Sequence, residues 1–205
     1  MKKGVCHVVG AGDFSAELLK IQTGDIVIAC DGGYGYLSDA DASIDICVGD
    51  FDSLGYTPDF SNTVILPKEK DVTDMEAGVR IGLEQGYESF VLYGALGGRR
   101  LSHTVANMGT ALGLVKKGMK CTIVDENSDI TVLRNEEKCF QNKGYSYVSV
   151  FAMDGEASVT LEGFKYDGEN IMLTQDYPLG VSNEFKGGSG RIKVEGCALI
   201  IFEKN

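Results

Sequence analysis

Residues 25–33 read Asp25-Ile-Val-Ile-Ala-Cys-Asp31-Gly-Gly33, and residues 44–53 read Ile44-Asp-Ile-Cys-Val-Gly-Asp50-Phe-Asp52-Ser53. Each is a short apolar run that ends on a carboxylate beside glycine. Runs like these suit strands buried on both faces of a parallel sheet. In an open α/β sheet, ligands bind outside the carboxyl ends of the strands, which is where Asp31 and Asp50 fall. From Asp31 to Glu76 the chain holds eleven carboxylates against two basic residues, Lys68 and Lys70, so 9 of its 11 net negative charges lie there. Acidic loops that only aid solubility would explain some of this. The placement of the carboxylates after strands argues instead for a hard cation, because Mg²⁺ takes oxygen ligands and shares them with substrate phosphates.

Working outward, strand-like and helix-like segments alternate up to about residue 125. The strands are expected at Val5–Val9, Asp25–Cys30, Ile44–Val48, Thr63–Leu66, Ser89–Tyr93 and Lys120–Val124. Helices are expected at Phe14–Lys20, after Gly33, at Asp74–Gln85 and at His103–Lys117. That alternation indicates a doubly wound, mostly parallel sheet with helices on its faces. Thr73 and Glu76 form a capping box at the start of the third helix, whose buried stripe reads Met75, Val79, Leu83. In the last helix the stripe reads Val105, Met108, Leu112, Val115. After residue 125 the helical period disappears and seven short runs follow: 130–133, 145–153, 158–161, 170–173, 180–185, 191–194 and 197–202. Glycines punctuate them, which suggests a small antiparallel β-sandwich. The expected domains are therefore 1–125, α/β, and 126–205, β-sandwich.

Composition excludes several function classes. The net charge of −11 argues against nucleic-acid binding, which needs clustered Lys and Arg. No apolar run is long enough to span a membrane and no leader is evident, so a cytoplasmic protein is expected. Six cysteines without a C-x-x-C spacing, and only two histidines, read as reduced core residues and not as a zinc site.

Three further segments bear on chemistry. Gly10-Ala-Gly12 follows the first strand but lacks the third glycine of a dinucleotide fingerprint, so a plain turn and a nucleotide contact both remain open. Gly94-Ala-Leu-Gly-Gly-Arg99-Arg100-Leu-Ser-His103 leads from a strand into a helix N-terminus, and brings two guanidiniums to a place suited to anions, or else is a structural loop. Gly180-Val-Ser182-Asn183-Glu-Phe185 lies in the β-rich half and is, by itself, compatible with an exposed polar pair.

Taken together, Asp31-Gly-Gly, Gly49-Asp-Phe-Asp-Ser53, Asp71-x-Thr-Asp74, Gly94-Ala-Leu-Gly-Gly-Arg, His103-Thr-x-Ala-Asn107 and Gly180-Val-Ser-Asn183 resemble, in order and approximate spacing, the thiamine pyrophosphokinase (thiamine diphosphokinase) family. The resemblance covers nearly the whole chain. It implies an N-terminal α/β domain that binds ATP and Mg²⁺, a C-terminal β-sandwich that binds thiamine, and a homodimer with active sites at the subunit interface. It implies transfer of pyrophosphate from ATP to the thiamine hydroxyl, with Asp50, Asp52 and Asp74 as metal ligands and catalytic groups, joined by Arg99 or Arg100. Asp31, Gly32, Gly33, Lys70, Asp71, Thr73, Gly97, Gly98 and His103 would line the ATP site, and Ser182 and Asn183 would hydrogen-bond the aminopyrimidine of thiamine. Ser102 stands where the family has aspartate, with one residue inserted before it. The chain has no tryptophan, so Phe185 and Tyr166 are the candidates for a ring stacked on thiamine. Two other readings stay open on the residues alone: another Mg²⁺-dependent phosphate-transfer enzyme or phosphohydrolase, and a non-catalytic nucleotide- or thiamine-binding protein.

Overall fold

Apolar runs flanked by glycine have one economical way to satisfy their backbone groups away from water, which is to pair with each other. The computed structural model describes residues 4–69, 71–98 and 100–205, so Lys70 and Arg99 lie outside the described residues. The chain divides into two compact units, Met1–Glu126 and Asn127–Asn205.

In the first unit the strands are β1 (Cys6–Val9), β2 (Ile26–Cys30), β3 (Ile46–Gly49), β4 (Thr63–Ile65), β5 (Ser89–Tyr93) and β6 (Lys120–Val124). They pair in parallel in the order β6-β5-β1-β2-β3-β4. Helices α1 (Gly33–Asp39), α2 (Asp74–Glu84) and α3 (Leu101–Lys116) connect them. Every residue of β1, β2 and β3 is buried, as a sheet covered on both faces requires. On one face Val9, Val27, Ala29 and Cys47 pack with Leu37 of α1. On the other, α2 approaches through Gly78 and Gly82. A Cβ at Gly78 would lie 2.5 Å from Cys30 Sγ and 2.9 Å from Val8 Cγ1, and one at Gly82 would lie 2.6 Å from Cys6 Sγ. Glycine is required at both for contact between helix and sheet.

Three local expectations change. The segment 14–20 forms only a 3-10 turn at Ala16–Leu18, because Phe14, Leu18 and Leu19 dock onto the α1-side cluster instead of continuing a helix. In α2, Thr73 caps as expected, its Oγ1 accepting from Glu76 N at 3.2 Å. Glu76 does not reach back to complete the box; its carboxylate bonds Arg80 at 3.1 Å and Thr110 at 3.2 Å. In α3 the buried face is Asn107, Ala111, Leu114 and Val115, and Val105 is 62% exposed. Of the expected stripe, Val115 is buried, Met108 and Leu112 are half-buried, and Val105 lies outside. Asn107 fixes the rotation of the helix by donating from Nδ2 to Ala95 O at 2.7 Å.

The second unit is antiparallel throughout. Its strands are β7 (Ser128–Gln141), β8 (Tyr147–Ala152), β9 (Glu156–Glu162), β10 (Gly168–Thr174) and β11 (Ser189–Glu203). β11 pairs along its length with β7, while on its other edge it pairs first with β9 and then with β8; β10 adds to β9. That change of partner folds the strands around one core, with Phe164, Ile192 and Ile200 fully buried. The expected runs 191–194 and 197–202 are thus one strand. Gly196, at φ +99°, is a bulge where the register shifts, and its N–H donates to Asn135 Oδ1 at 2.8 Å. The run at 130–133 extends to 141 through a charged stretch, because Arg191 on β11 pairs with Glu137 at 2.8 Å. The run at 180–185 is not a strand: it makes isolated bridges only, from Asn183 to Val148 and from Phe185 to Phe164.

All six cysteines are free, and Cys139 is exposed where a core position was expected. Among the described residues no helix is long and apolar enough to cross a membrane.

The glycine contacts yield a stability test. Gly78→Val is expected to lose about 2–3 kcal/mol by overpacking the helix–sheet contact. Gly113→Ala, in α3 with nothing within 4 Å of its added Cβ, should gain about 0.5–1 kcal/mol. Urea unfolding of both variants checks the pair; equal changes would refute the close-approach account.

Candidate active site

The strand order of the first unit's sheet reverses between β1 and β5, which lie side by side in parallel while their chains lead to opposite edges. Such a switch point leaves a crevice at the strand ends. Here the two loops that border it are sewn together: Gly10 N donates to Tyr93 O at 2.8 Å, Gly12 N to Gly94 O at 2.8 Å and Asp13 N to Leu96 O at 3.1 Å. A Cβ at Gly12 would stand 2.4 Å from Leu96 O, and Gly94, Gly97 and Gly98 all take positive φ. Gly10-Ala-Gly12 is a tight turn, and all three residues line the cleft. The N–H groups of Gly10 and Gly12 within it, and of Asp13 just after it, are committed to carbonyl partners.

Asp31 ends β2 and reaches into this crevice. It is 9% exposed, has φ +48°, and its Oδ1 is buried without a hydrogen-bond partner among the described residues. An unsatisfied buried carboxylate oxygen is destabilising unless something binds it. The glycines after it allow the chain to turn here, since a Cβ on Gly33 would meet Val9 O at 2.1 Å. Across the β2–β3 pair, Asp31 N donates to Val48 O at 2.9 Å. The loop that follows β3 carries Asp50 and Asp52 around a buried Phe51 at φ +58°. Asp50 Oδ1 accepts from Asp52 N at 3.2 Å, and Asp52 pairs with Lys68 at 2.9 Å. That pairing raises the Lys68 pKa. Lys68 was not among the expected site residues; as one of the two cations in the acidic stretch it carried a signal that could have identified it.

Two helix N-termini complete the crevice. Thr73 and Asp74 open α2, and Arg100 and His103 open α3, all four lining the same cleft as Asp31, Gly97, Gly98 and Asn107. Burial pushes the Cys30 thiol up, and the carboxylates of Asp74 and Asp31 beside it push the same way, so both flank the end of β2. His103 is pushed down by burial and by Arg100, against an opposing pull from Asp74, which leaves it uncharged at neutral pH. The other histidine, His7, is structural: it is 3% exposed and bonds Asp25 at 3.1 Å and Tyr93 at 3.3 Å.

The expected residues do not form a preassembled metal cage. Among the described residues no group of three or more His, Cys, Asp or Glu side chains is gathered to hold an ion, so Asp50, Asp52 and Asp74 are not such a cluster here. Asp50, Asp52, Asp71, Gly32 and Gly33 do not line the cleft that holds Asp31 and Asp74; Asp71 borders a groove between α2 and α3.

In the second unit Ser182 and Asn183 occupy different environments. Ser182 is exposed at φ +58°, with its N–H on Ser149 Oγ at 3.1 Å. Asn183 is 6% exposed and its amide is engaged internally with Tyr166 and Glu184. Of the two aromatic candidates, Phe185 packs into the core against Phe164, with ring centroids 4.9 Å apart, whereas Tyr166 is 63% exposed. Tyr166 borders an apolar pocket floored by Val150, Val159, Leu161 and Leu173.

Comparison with known proteins agrees with this geometry. A family model described as thiamin pyrophosphokinase, catalytic domain, matches residues 19–123, and one described as thiamin pyrophosphokinase, vitamin B1 binding domain, matches residues 130–197. A curated thiamine pyrophosphokinase of Bacillus subtilis (strain 168) is 29% identical over 136 residues, which are 65% of this chain and 63% of that protein. Thiamin pyrophosphokinase from Geobacillus thermodenitrificans superposes with a TM-score of 0.81 at 29% identity, covering 98% of each chain. The crystal structure of thiamine pyrophosphokinase from Bacillus subtilis, at 23% identity, shares the fold with a TM-score of 0.88 over 98% of this chain and 99% of that one. With the two family domains in sequence and the fold matched along nearly its full length, the chain belongs to the thiamin pyrophosphokinase family.

Proposed function

We propose that the protein transfers the pyrophosphoryl group of ATP to the hydroxyl of thiamine, giving thiamine diphosphate and AMP. The observation that carries this reading is the buried Oδ1 of Asp31, without a hydrogen-bond partner among the described residues, at the switch point of an α/β unit whose sequence matches the family's catalytic domain. In the reaction the thiamine hydroxyl oxygen bonds to the β-phosphorus, and the bond from that phosphorus to the oxygen bridging the α-phosphate breaks, so AMP leaves. Residues 1–125 bind ATP, through the Asp31-Gly32-Gly33 segment, the Asp71–Asp74 segment with Thr73, and the Gly97–His103 loop and helix start. Lys70, Arg99 and Arg100 supply the positive charge for the phosphate chain. Of these, Arg100 lines the cleft, which suits its guanidinium to a phosphate contact, while Lys70 and Arg99 lie outside the described residues. Residues 126–205 bind thiamine beside Ser182 and Asn183.

The donor set fits Mg²⁺. Asp31, Asp50, Asp52 and Asp74 offer only oxygen, and Mg²⁺ is commonly held by one or two carboxylates with waters and substrate phosphates completing its shell. When bound, the ion neutralises charge that builds on the phosphoryl oxygens. The protein's own residues orient the phosphates through the α3 N-terminus and Arg100, and the neutral His103 adds a hydrogen-bonding group without further charge. The acidic cleft also attracts the cationic thiazolium of thiamine. Leu101, 76% exposed, and Val105, on the outer face of α3, support a homodimer, and six free cysteines suit the reducing cytoplasm.

Thiamine-dependent release of AMP from ATP and Mg²⁺ is the direct assay. ADP or inorganic phosphate formed without thiamine would replace this reading by a phosphohydrolase, and binding without turnover would replace it by a non-catalytic module.

Two variants separate chemistry from folding. Asp31→Gly removes the carboxylate whose Oδ1 lacks a partner among the described residues, and suits the left-handed backbone. It is expected to keep or raise urea resistance by about 1 kcal/mol while lowering turnover at least about a hundredfold. A large loss of stability would show that Asp31 is a structural residue. Asp52→Asn should slow turnover by a similar factor, about a hundredfold or more, and change stability by less than about 0.5 kcal/mol, because the Lys68 pair is exposed. Near wild-type turnover in this variant would remove Asp52 from the catalytic set.

A further inference from the structure

β3 and β4 pair in parallel with Gly49 opposite Ile65, and Leu66 N donates to Gly49 O at 2.9 Å. The segments that follow the two strands therefore leave the sheet side by side. After β3 come Asp50, Phe51 and Asp52; after β4 come Leu66, Pro67 and Lys68. Each has its direction fixed. Phe51 is buried at φ +58° and anchors the first segment, and the ring of Pro67 locks φ in the second. Asp50 Oδ1 accepts from Asp52 N at 3.2 Å, which holds the first loop folded on itself. The pair of Lys68 Nζ with Asp52 Oδ1 at 2.9 Å is the product of this register. The Lys68 pKa is raised by the hydrogen bond to Asp52, then by the charge of Asp52, and further by the charge of Asp50, so the ammonium faces both carboxylates.

The pair stands next to the cleft without entering it. A Cβ on Gly49 would lie 3.1 Å from Asp31 Cα, and one on Gly32 would lie 3.1 Å from Ser53 Oγ. The 50–53 loop thus abuts the segment from which Asp31 lines the cleft. Asp52 does not line it, being turned to Lys68. A carboxylate oxygen bonded to an ammonium is occupied and its charge partly neutralised, which is what a divalent cation at the same oxygen would also do. Lysine is a compact point charge on a flexible stem, able to leave one partner without disturbing the backbone. Both side chains are exposed, so their pairing contributes little to stability and can be exchanged at little cost to the fold.

We propose that Lys68 is a positioning residue that competes with the divalent ion for Asp52: the ammonium and the ion are alternative partners of one carboxylate, and Asp52 is released toward the cleft only when the ion displaces Lys68. This rests on the proposed reading that Asp50 and Asp52 hold Mg²⁺. It explains why the carboxylates are not gathered into a ready cage among the described residues: one of them is bonded to a cation that the chain itself supplies.

Mn²⁺ takes the same oxygen ligands as Mg²⁺, and the electron paramagnetic resonance signal of the free ion measures its uptake by the full chain. Without nucleotide, Lys68→Gln is expected to tighten Mn²⁺ binding by about two- to fivefold, the factor that exposed ion pairs are worth. Lys68→Arg keeps a cation at Asp52 and should hold Mn²⁺ no more tightly than wild type. In an Asp52→Asn background the Lys68→Gln change should add nothing, because the carboxylate for which the two cations compete is gone. None of these changes removes a buried contact, since both side chains are exposed. A Lys68→Gln variant that binds Mn²⁺ no better than wild type would overturn the inference. So would an equal gain in the Asp52→Asn background, which would reduce the effect to overall charge. The metal reading fails in a different way. If wild type and Lys68→Gln both leave Mn²⁺ free, with α,β-methylene ATP present and after subtraction of what that analogue binds alone, the carboxylates hold no ion, and the inference falls with that reading.

Discussion

The clasp between the loops after β1 and β5 is the constraint on which the catalytic half depends. Three backbone hydrogen bonds join Gly10, Gly12 and Asp13 to Tyr93, Gly94 and Leu96, and they form only because neither loop has a Cβ at the crossing. Once closed, the clasp sets the direction in which the chain enters α3. Asn107 reinforces it from within the helix by bonding Ala95 O. The positions of Arg100 and His103 at the cleft follow from that entry, and the glycines have a packing role before they have any role toward phosphate.

Some of the local strain coincides with, or adjoins, residues that the proposed chemistry uses. Asp31, Phe51 and Ser182 are among the non-glycine residues with positive φ, and Asp31 also carries the unpartnered buried oxygen. Each is held by a well-packed neighbour: Asp31 by the β2–β3 contact, Phe51 by the α1-side core, and Ser182 by Ser149. A protein retains such features where rigid surroundings enforce them, and a bound ligand offsets what they cost.

In the second unit β11 has the corresponding organising role. A strand of fifteen residues that changes partner midway needs one point of flexure, and the Gly196–Asn135 bulge provides it. The turn at 163–167 and the segment at 183–186 then close over the same core through Phe164 and Phe185, which withdraws Phe185 from solvent and leaves Tyr166 outside.

Much of this was legible in the sequence. The parallel strands could be read because burial on both faces demands continuous apolar runs, and Asp31 and Asp50 could be read because they follow such runs directly. The ordered motifs identified the family. What only the tertiary structure decided were relations between segments distant in the chain. Periodicity pointed to Val105, Met108, Leu112 and Val115 as the buried stripe of α3, whereas the structure buries Asn107, Ala111, Leu114 and Val115, with Asn107 bonded to Ala95. Gly196 reads as a turn in one dimension, and becomes a bulge only because β7 and β11 continue beside it. The pairing of Asp52 with Lys68, the commitment of Asn183 to the Tyr166 peptide, and the isolation of Asp31 Oδ1 are likewise invisible locally. The sequence determines which groups exist and which strands must be buried, because those follow from composition and period. Which groups are already paired, and which remain available to a ligand, is decided by three-dimensional proximity, because a hydrogen bond depends on distance and direction in space and not on separation along the chain.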